Sequence, residues 1–286
     1  MPYLAHFGFH QRPFSLTPDR ALFFPESHQP ILDAARYAVD RGEPIIKIAG
    51  EVGTGKTLLC RLMVQYLVHD GARVAFITVP QADRRATLLA VGREFGLDVS
   101  DCADAYQALA DHLIAEHSAG RRAVLVVDEA QALDREGLET IRLLSNLETD
   151  EDKLLQIVLF AQPELDRLLR QYSMRQIMQR ITFNFTTRPF DRATGMQYIR
   201  YRVEKTSVRP PPNDVFSRRA MKIIVKAAGG IPRVINVLAD RALLSAYAAD
   251  RRQVIRRDAL RAVSDTALGD PPPRRPIRRW RRGSPA

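Results

Sequence analysis

The amino-acid sequence predicts an α/β domain with a mostly parallel sheet, followed by a small all-α domain. Two observations support this prediction. Short β-rich runs alternate with helical segments as far as Arg188, and alternation of this kind is typical of parallel sheets. Beyond Arg188 the sequence shows helical patterns only. In an α/β domain of this kind, a ligand binds at the carboxyl ends of the strands.

A glycine-rich turn follows the first β-rich run and leads into a helix. It matches the phosphate-binding pattern in which four free positions separate Gly from Gly-Lys-Thr. The glycines let the backbone wrap a phosphate chain, and the helix adds a partial positive charge at its N-terminus. The predicted nucleotide-binding residues are Gly50, Glu51, Val52, Gly53, Thr54, Gly55, Lys56, Thr57 and Leu58. We expect Lys56 to contact the outer phosphates and Thr57 to hold Mg²⁺. The alternative is a chance match in a loop, expected about once per hundred chains of this length.

Length and composition are those of an ordinary globular protein. The 286 residues are 45% hydrophobic and 27% charged, which suits two domains. We find no apolar run long enough for a transmembrane helix and no secretory signal at the N-terminus. Cys60 and Cys102 match no disulfide or zinc pattern. We therefore expect reduced thiols in a cytoplasmic protein. Any association with the inner membrane is expected to be peripheral.

The net charge of +10 is unevenly distributed. Residues 269–286 contain six arginines and one acid, Asp270, so this Pro/Arg-rich tail carries about half of the excess. Such a tail suits an acidic partner, either nucleic acid or an anionic membrane. The alternative is a solvated, disordered extension.

Residues 1–27 are rich in aromatic residues and prolines. They are too apolar for a disordered leader and too interrupted for a helix, so we predict an extended segment that packs on the nucleotide domain. The segment is also a candidate wall for an adenine base, although core packing is the simpler interpretation of any single residue. A helix is expected to open at His28-Gln29-Pro30.

Two acids, Asp128 and Glu129, directly follow the continuous apolar run 123–127. Such a run is typical of a strand covered on both faces, where a carboxylate is costly without a partner. Ordinary helix-capping acids are the alternative. With a phosphate loop about 70 residues upstream, we predict that Asp128 holds Mg²⁺ and that Glu129 orients and deprotonates the attacking water.

A polar residue also ends the next apolar run, 154–161. Gln162 at this position can contact both a γ-phosphate and the lytic water, although Gln before Pro163 is also common in plain turns.

The helical domain is predicted from four segments, at about 192–205, 214–228, 232–249 and 256–267. Gly229 and Gly230 precede the third segment, and Pro232 lies at a favourable first-turn position. The predicted organisation is an N-terminal segment (1–27), a P-loop α/β domain (28–188), a helical lid (189–268) and the tail (269–286).

These motifs, in this order, resemble those of the AAA+ ATPases, in which an α/β core precedes a helical lid. Further strings, among them Pro13-Phe14-Ser15-Leu16-Thr17-Pro18-Asp19, Gln162-Pro163-Glu164-Leu165 and Gly230-Ile231-Pro232-Arg233-Val234-Ile235-Asn236, are similar to the general secretion pathway protein A family. That family includes the mannose-sensitive haemagglutinin (MSHA) pilus biogenesis ATPase. The resemblance spans about residues 1–267.

The resemblance implies roles for individual residues. Gln162 corresponds to the polar sensor on the fourth strand, and Arg233 to the lid arginine that reaches the phosphates. Arg180 corresponds to an arginine finger donated to a neighbouring subunit, with Arg175 as a rival. The alternative for each arginine is a surface salt bridge. A finger acting in trans requires a homo-oligomer.

The resemblance also implies ATP and Mg²⁺ as cofactors and ATP hydrolysis as the activity. Secretion-type members carry a transmembrane helix and a peptidoglycan-binding domain beyond the lid. This sequence has an arginine-rich tail there, so we expect the shorter, soluble pilus type.

Three functions remain open. The first is an oligomeric ATPase that acts with pilus or secretion proteins at the inner membrane, where its tail contacts anionic lipid. The second is a DNA-associated AAA+ ATPase, such as a transposition or replication-initiation helper, although no helix-turn-helix-sized segment follows the lid. The third is a nucleotide-gated switch with negligible hydrolysis, against which the intact Glu129 counts.

Overall fold

Parallel strands form a single five-stranded sheet, in the order β2-β3-β4-β1-β5. The computed structural model describes residues 3–17, 19–80, 83–99, 102–150, 152–209 and 214–266, without the side chains of 102–104. The predicted tail and the side chain of Cys102 therefore lie outside the described residues. The strands are β1 (Ile45–Gly50), β2 (Arg73–Ile77), β3 (Ala123–Val127), β4 (Gln156–Ala161) and β5 (Ile181–Thr187).

Helices cover both faces of the sheet and continue beyond it. Those up to the last strand are α1 (Tyr3–Phe7), α2 (Pro25–Asp40), α3 (Lys56–His69), α4 (Arg84–Glu94), α5 (Cys102–Ser118), α6 (Arg135–Leu144), α7 (Glu164–Leu169) and α8 (Arg175–Arg180). After the last strand come α9 (Arg192–Thr206), α10 (Arg218–Ala227), α11 (Pro232–Ala248) and α12 (Arg256–Ser264), which we name the lid. None of the helices in these ranges is both long and apolar enough to cross a bilayer.

The inner strands are buried along their whole length, as their continuous apolar sequences predict. Every residue of β1, β3 and β4 is buried, whereas β5 alternates between partly buried and exposed positions because it lies at the edge of the sheet. The polar exception in β1 is Lys47, whose ammonium group pairs with Asp166 of α7. One face of the sheet packs against α2 and α3, and the other against α4 to α8.

The N-terminal segment, here residues 3–24, differs from its prediction. It is not simply extended, since residues 3–7 form α1 and α2 begins at Pro25, ahead of the predicted start at His28. Its aromatic side chains pack chiefly into the apolar core of the lid rather than onto the nucleotide domain. These side chains are Tyr3, Phe7, Phe9, Phe14 and Phe24.

Backbone hydrogen bonds join the N-terminal segment to the end of α9. His10 N–H donates to the Thr206 carbonyl at 2.9 Å, and Val208 N–H donates to the Gly8 carbonyl at 2.9 Å. Aromatic residues spread over a broken sequence thus find their apolar partners in a domain that begins more than 160 residues later. Sequence spacing could not reveal that partner.

We expect Phe14→Ala to lower the free energy of unfolding by about 3–5 kcal/mol, because the Phe14 ring is 3% exposed and packs edge-on against Phe216. Urea unfolding measures the loss. Leu16→Ala is the matched control, since Leu16 is 54% exposed and its truncation should change stability by less than about 0.5 kcal/mol. Equal effects of the two changes would contradict the placement of the segment in the lid core.

Candidate nucleotide-binding site

The carboxyl ends of three adjacent strands bring the predicted site residues together. The phosphate loop follows β1, the pair Asp128 and Glu129 follows β3, and Gln162 follows β4, which lies between the other two strands. Since all three strands are parallel, these residues meet at one edge of the sheet.

Internal hydrogen bonds shape the phosphate loop. The Thr54 hydroxyl donates to the Glu51 carbonyl at 2.7 Å and lies 2.7 Å from the Thr187 hydroxyl at the end of β5. The buried Lys56 ammonium donates to the carbonyls of Gly50 (2.7 Å) and Glu51 (3.0 Å), which holds it against the loop. Burial lowers the pKa of Lys56, while the charges of Glu129 and nearby acids oppose that shift.

The loop also leaves donors available for an anion. In the described part of the chain, no acceptor is found for the backbone N–H groups of Gly53, Gly55, Lys56 and Thr57. The first N–H groups of a helix have no intrahelical partner, and α3 begins at Lys56. The arrangement therefore fits a phosphate chain.

Glu129 is held in an unusual backbone conformation. Its φ of 50° lies in the left-handed region, which costs a non-glycine residue about 1–2 kcal/mol. Its carboxylate accepts hydrogen bonds from the side chains of Gln162 (3.0 Å) and Gln131. Burial favours a higher pKa, but these bonds and the charge of Lys56 outweigh it and hold the pKa of Glu129 below its ordinary value. The carboxylate is thus oriented and ionised.

Asp128 has the opposite balance. Its side chain is buried, and burial together with the charge of Glu129 raises its pKa, although the Glu129 N–H bonded to the carboxylate at 2.9 Å, the charge of Lys56 and the nearby Thr57 hydroxyl oppose the shift. The Thr57 hydroxyl thus lies near the Asp128 carboxylate. A hydroxyl and a buried carboxylate side by side fit a Mg²⁺ ion, whose remaining ligands are normally phosphate oxygens and water.

The lid touches the phosphate loop directly. Arg233 N–H, at the start of α11, donates to the Gly53 carbonyl at 3.2 Å. A Cβ at Gly53 would lie 2.8 Å from the Arg233 Cβ and 3.0 Å from a methyl carbon of Ile231, so only glycine permits this approach. The Arg233 side chain is exposed and forms no hydrogen bond or ion pair within the described residues, and it lines the same pocket as Lys56.

His28 was not identified as a site residue from the sequence. It is buried, and its Nε2 lies 2.7 Å from the Thr54 carbonyl in the phosphate loop, while its Nδ1 lies 2.7 Å from the Ser27 hydroxyl. Burial lowers its pKa, so the ring is neutral at physiological pH and donates from one nitrogen while accepting at the other. No periodic pattern in the sequence indicates this contact.

Arg202 of α9 was also missed. It is buried and donates to the carbonyls of Pro13 (2.5 Å) and Ser15 (3.4 Å), so it fixes the N-terminal segment against the lid. Its position three residues after Ile199 and one before Val203, both buried, was an available signal. A charged residue in such an apolar stripe indicates a specific buried role.

One pocket of about 350 Å³ joins the loop, the lid and the N-terminal segment. It is lined by nine of the predicted residues: Val52, Gly53, Gly55, Lys56, Thr57, Leu58, Glu129, Gln162 and Arg233. Gly50, Glu51 and Thr54 shape the loop and, like Asp128, are not among the residues that line the pocket. From the N-terminal segment, Ser15, Leu16, Thr17, Asp19, Leu22 and Phe24 complete the lining.

Arg180 is not brought to this pocket. It is half-buried at the end of α8, and its guanidinium donates to the Ser145 carbonyl at 3.2 Å. Arg175, at the other end of α8, is exposed and lies over the ring of Tyr172 at 4.2 Å. Of the two rivals, Arg175 is the more accessible to another molecule.

The sheet order, the phosphate loop and the lid give the chain the fold of AAA+ proteins of the P-loop class. A family model described as an AAA domain matches residues 39–169. The chain is also 38% identical over 260 residues to general secretion pathway protein A of Aeromonas hydrophila, an alignment that covers 90% of this chain and 47% of that protein. The chain is therefore related to general secretion pathway protein A and spans about half the length of that relative.

Solved structures support the fold. The ORC2 protein of Aeropyrum pernix is similar with a TM-score of 0.64 at 18% identity, covering 87% of this chain and 72% of that one. Cdc6p of Pyrobaculum aerophilum gives 0.64 at 18% identity, covering 93% and 72%. RuvB of Thermotoga maritima, a Holliday junction branch migration motor, gives 0.54 at 16% identity, covering 89% and 73%. At these identities the likeness concerns the fold alone, and it confirms the predicted α/β core and helical domain.

Replacing Gly53 by Ala tests the contact between loop and lid. We expect Gly53→Ala to lower the free energy of unfolding by about 1–2 kcal/mol from backbone strain at φ +81°, and by about 1–3 kcal/mol more from the clash with Arg233. Gly71→Ala is a matched control, because Gly71 has a φ of +80° with nothing within 4 Å of an added Cβ. Equal losses in urea unfolding would show that the lid does not press on Gly53.

Proposed function

We propose that this protein binds ATP with Mg²⁺ and hydrolyses it to ADP and phosphate. The observation that carries the proposal is the Glu129 carboxylate, oriented by two glutamine side chains in the same pocket as Lys56 and the phosphate loop. A phosphate-binding loop alone supports binding; a fixed and ionised carboxylate beside it supports hydrolysis.

Each residue takes a distinct part in this proposal. The loop N–H groups and Lys56 bind the phosphates, and Thr57 and Asp128 hold Mg²⁺, which neutralises charge on the phosphate oxygens when bound. Glu129 accepts the proton of the attacking water, and Gln162 keeps the Glu129 carboxylate in place through its hydrogen bond. The Arg233 guanidinium, which has no hydrogen bond or ion pair within the described residues, completes the phosphate contacts from the lid.

The proposed active form is a homo-oligomer in which α8 of one subunit supplies an arginine to the next. The pocket of a single chain contains no arginine of α8 among its lining residues. Arg180 remains a candidate, but it already donates to Ser145, whereas Arg175 is exposed. An arginine finger accelerates hydrolysis by about 10³–10⁵ in well-studied NTPases.

We further propose that hydrolysis serves a secretion or pilus assembly system at the inner membrane. The support is the identity of 38% to general secretion pathway protein A. Because this chain spans 47% of that relative, its partners within such a system are part of the proposal.

Glu129→Gln should keep ATP affinity within about threefold and reduce turnover at least 100-fold, since the amide fills the same space but accepts no proton. Calorimetry measures binding and phosphate release measures turnover. Lys56→Ala is the matched comparison and should lose ATP binding itself. Turnover by Glu129→Gln at the wild-type rate would show that another group is the base.

Complementation of a deletion strain with Glu129→Gln separates the biochemical proposal from the biological one. In cells that carry this chain, loss of the protein should abolish a surface pilus or a secreted product, and Glu129→Gln should fail to restore it. If Glu129→Gln restores the pilus or the secreted product, the proposed ATPase activity stands but its use in assembly is rejected.

Mixing variants tests the shared site and identifies the finger. Lys56→Ala binds no ATP but still offers its α8 arginine to a neighbour, so mixing it with an inactive finger variant should recover part of the activity. We expect recovery with Arg175→Ala or with Arg180→Ala, whichever residue acts in trans. If both arginine variants hydrolyse ATP alone at the wild-type rate, neither is a finger; if co-assembled mixtures give no recovery, the site is not shared.

A further inference from the structure

Within residues 1–266, the positive charge is concentrated on the lid. Residues 189–266 hold 16 Lys and Arg against 7 Asp and Glu, a net charge of +9. Residues 1–188 hold 21 against 25, a net charge of −4. The basic character of the protein therefore belongs to the lid as well as to the tail, and the nucleotide domain is slightly acidic.

Two helices of the lid each begin with a pair of exposed arginines. Arg218 and Arg219 open α10, and Arg256 and Arg257 open α12. We name these four residues the arginine quartet.

The two helices start side by side, which brings the quartet together. A parallel bridge joins Phe216 to Val254 just ahead of the two helices. Ser217 N–H donates to the Val254 carbonyl at 2.9 Å, and Val254 N–H donates to the Val215 carbonyl at 2.7 Å. Since helices in contact lie about 8–10 Å apart, the two arginine pairs form one patch.

The acids on and beside these two helices do not neutralise the patch. Helix α10 contains no acid, and the single acid of α12, Asp258, is fully buried and accepts from Ile255 N–H and the Arg251 guanidinium. The exposed acids that flank the helices in sequence are already paired, Asp214 with Arg200 at 3.8 Å and Asp265 with Arg261 at 3.7 Å. Within the described part of the chain, no member of the quartet has an ion pair or hydrogen bond.

The chemistry of the patch fits a phosphate backbone. A guanidinium binds phosphate through two parallel hydrogen bonds, and clustered arginines gain further from the counterions that a polyanion releases. A membrane surface fits less well, because the apolar sides of the two helices, including Met221, Ile224 and Ala259, are buried in the lid core. Leu260 is the large apolar side chain that these helices expose, and an interfacial helix needs an apolar face to enter the bilayer.

We propose that the arginine quartet contacts the phosphate backbone of duplex DNA without reading its sequence. The quartet lies outside the residues that line the nucleotide pocket, so this surface goes beyond the proposed ATPase activity and does not depend on it.

The test measures binding of the full chain to a fluorescent duplex of arbitrary sequence at several salt concentrations. The variant combines Arg218→Gln, Arg219→Gln, Arg256→Gln and Arg257→Gln. Because each phosphate contact contributes about 0.9 to the slope of log K against log salt, the loss of four contacts should make that slope shallower by about 3–4. When salt rises from 50 to 200 mM, the affinity of the variant for the duplex should therefore fall about 100-fold less than that of the wild-type chain.

A charge-matched control removes four exposed arginines from the nucleotide domain, through Arg84→Gln, Arg93→Gln, Arg167→Gln and Arg170→Gln. The control keeps the tail and the quartet, and its slope should stay within about one of the wild-type value. Circular dichroism and ATP turnover should be unchanged in the quartet variant, which separates failure of this proposal from failure of the proposed ATPase.

Two results would overturn the proposal. If the quartet variant keeps the wild-type slope, or if the slope of the control variant becomes equally shallow, binding reflects the tail or the net charge rather than this patch. If the quartet variant loses binding to vesicles containing phosphatidylserine while duplex binding is unchanged, the partner is an anionic membrane.

Discussion

The contact between Gly53 and the start of α11 couples the two domains of this protein. The Gly53 carbonyl accepts from Arg233 N–H, and the missing side chain at Gly53 gives Ile231 and Arg233 the room they occupy. The phosphate loop is therefore not an isolated turn but a surface on which the lid rests. Because the loop and the start of α11 are in such close contact, a shift of the loop would displace or strain α11.

The N-terminal segment extends this coupling to the far side of the pocket. Its aromatic residues are part of the lid core, and Arg202 fixes its backbone, yet its residues from Ser15 to Phe24 line the pocket beside the phosphate loop. Lid and segment therefore form one body that contacts the nucleotide domain. His28, at the start of α2, adds a second link because its ring reaches the Thr54 carbonyl. A purine base placed in this pocket would lie against lid and segment together, so base binding and lid position would be linked.

The sequence predicted the parts of this protein whose signals are local. The largely apolar runs of β1, β3 and β4 predicted buried parallel strands, and the spacing from Gly50 to Thr57 predicted a phosphate loop. The polar residues at strand ends followed from those two predictions. What the sequence could not give were contacts between distant segments, such as Phe14 with Phe216 or His28 with Thr54. These contacts depend on the tertiary fold, and no residue spacing in the sequence indicates them. Arg202 is intermediate, since a charged residue in an apolar helical stripe was visible but pointed to no partner.

The nucleotide domain and the lid differ in charge as well as in fold. The nucleotide domain is slightly acidic, and the carboxylates proposed to act in hydrolysis suit a cation and phosphates rather than a basic protein partner. The lid is strongly basic, and its arginine quartet lies on helices whose apolar sides are buried in the lid itself. The lid can thus touch the phosphate loop through α11 while presenting α10 and α12 to another molecule. If lid position follows nucleotide state, the orientation of that basic surface follows it too. Under that condition, the lid would transmit the effect of the proposed hydrolysis from the pocket to a surface suited to an anionic partner.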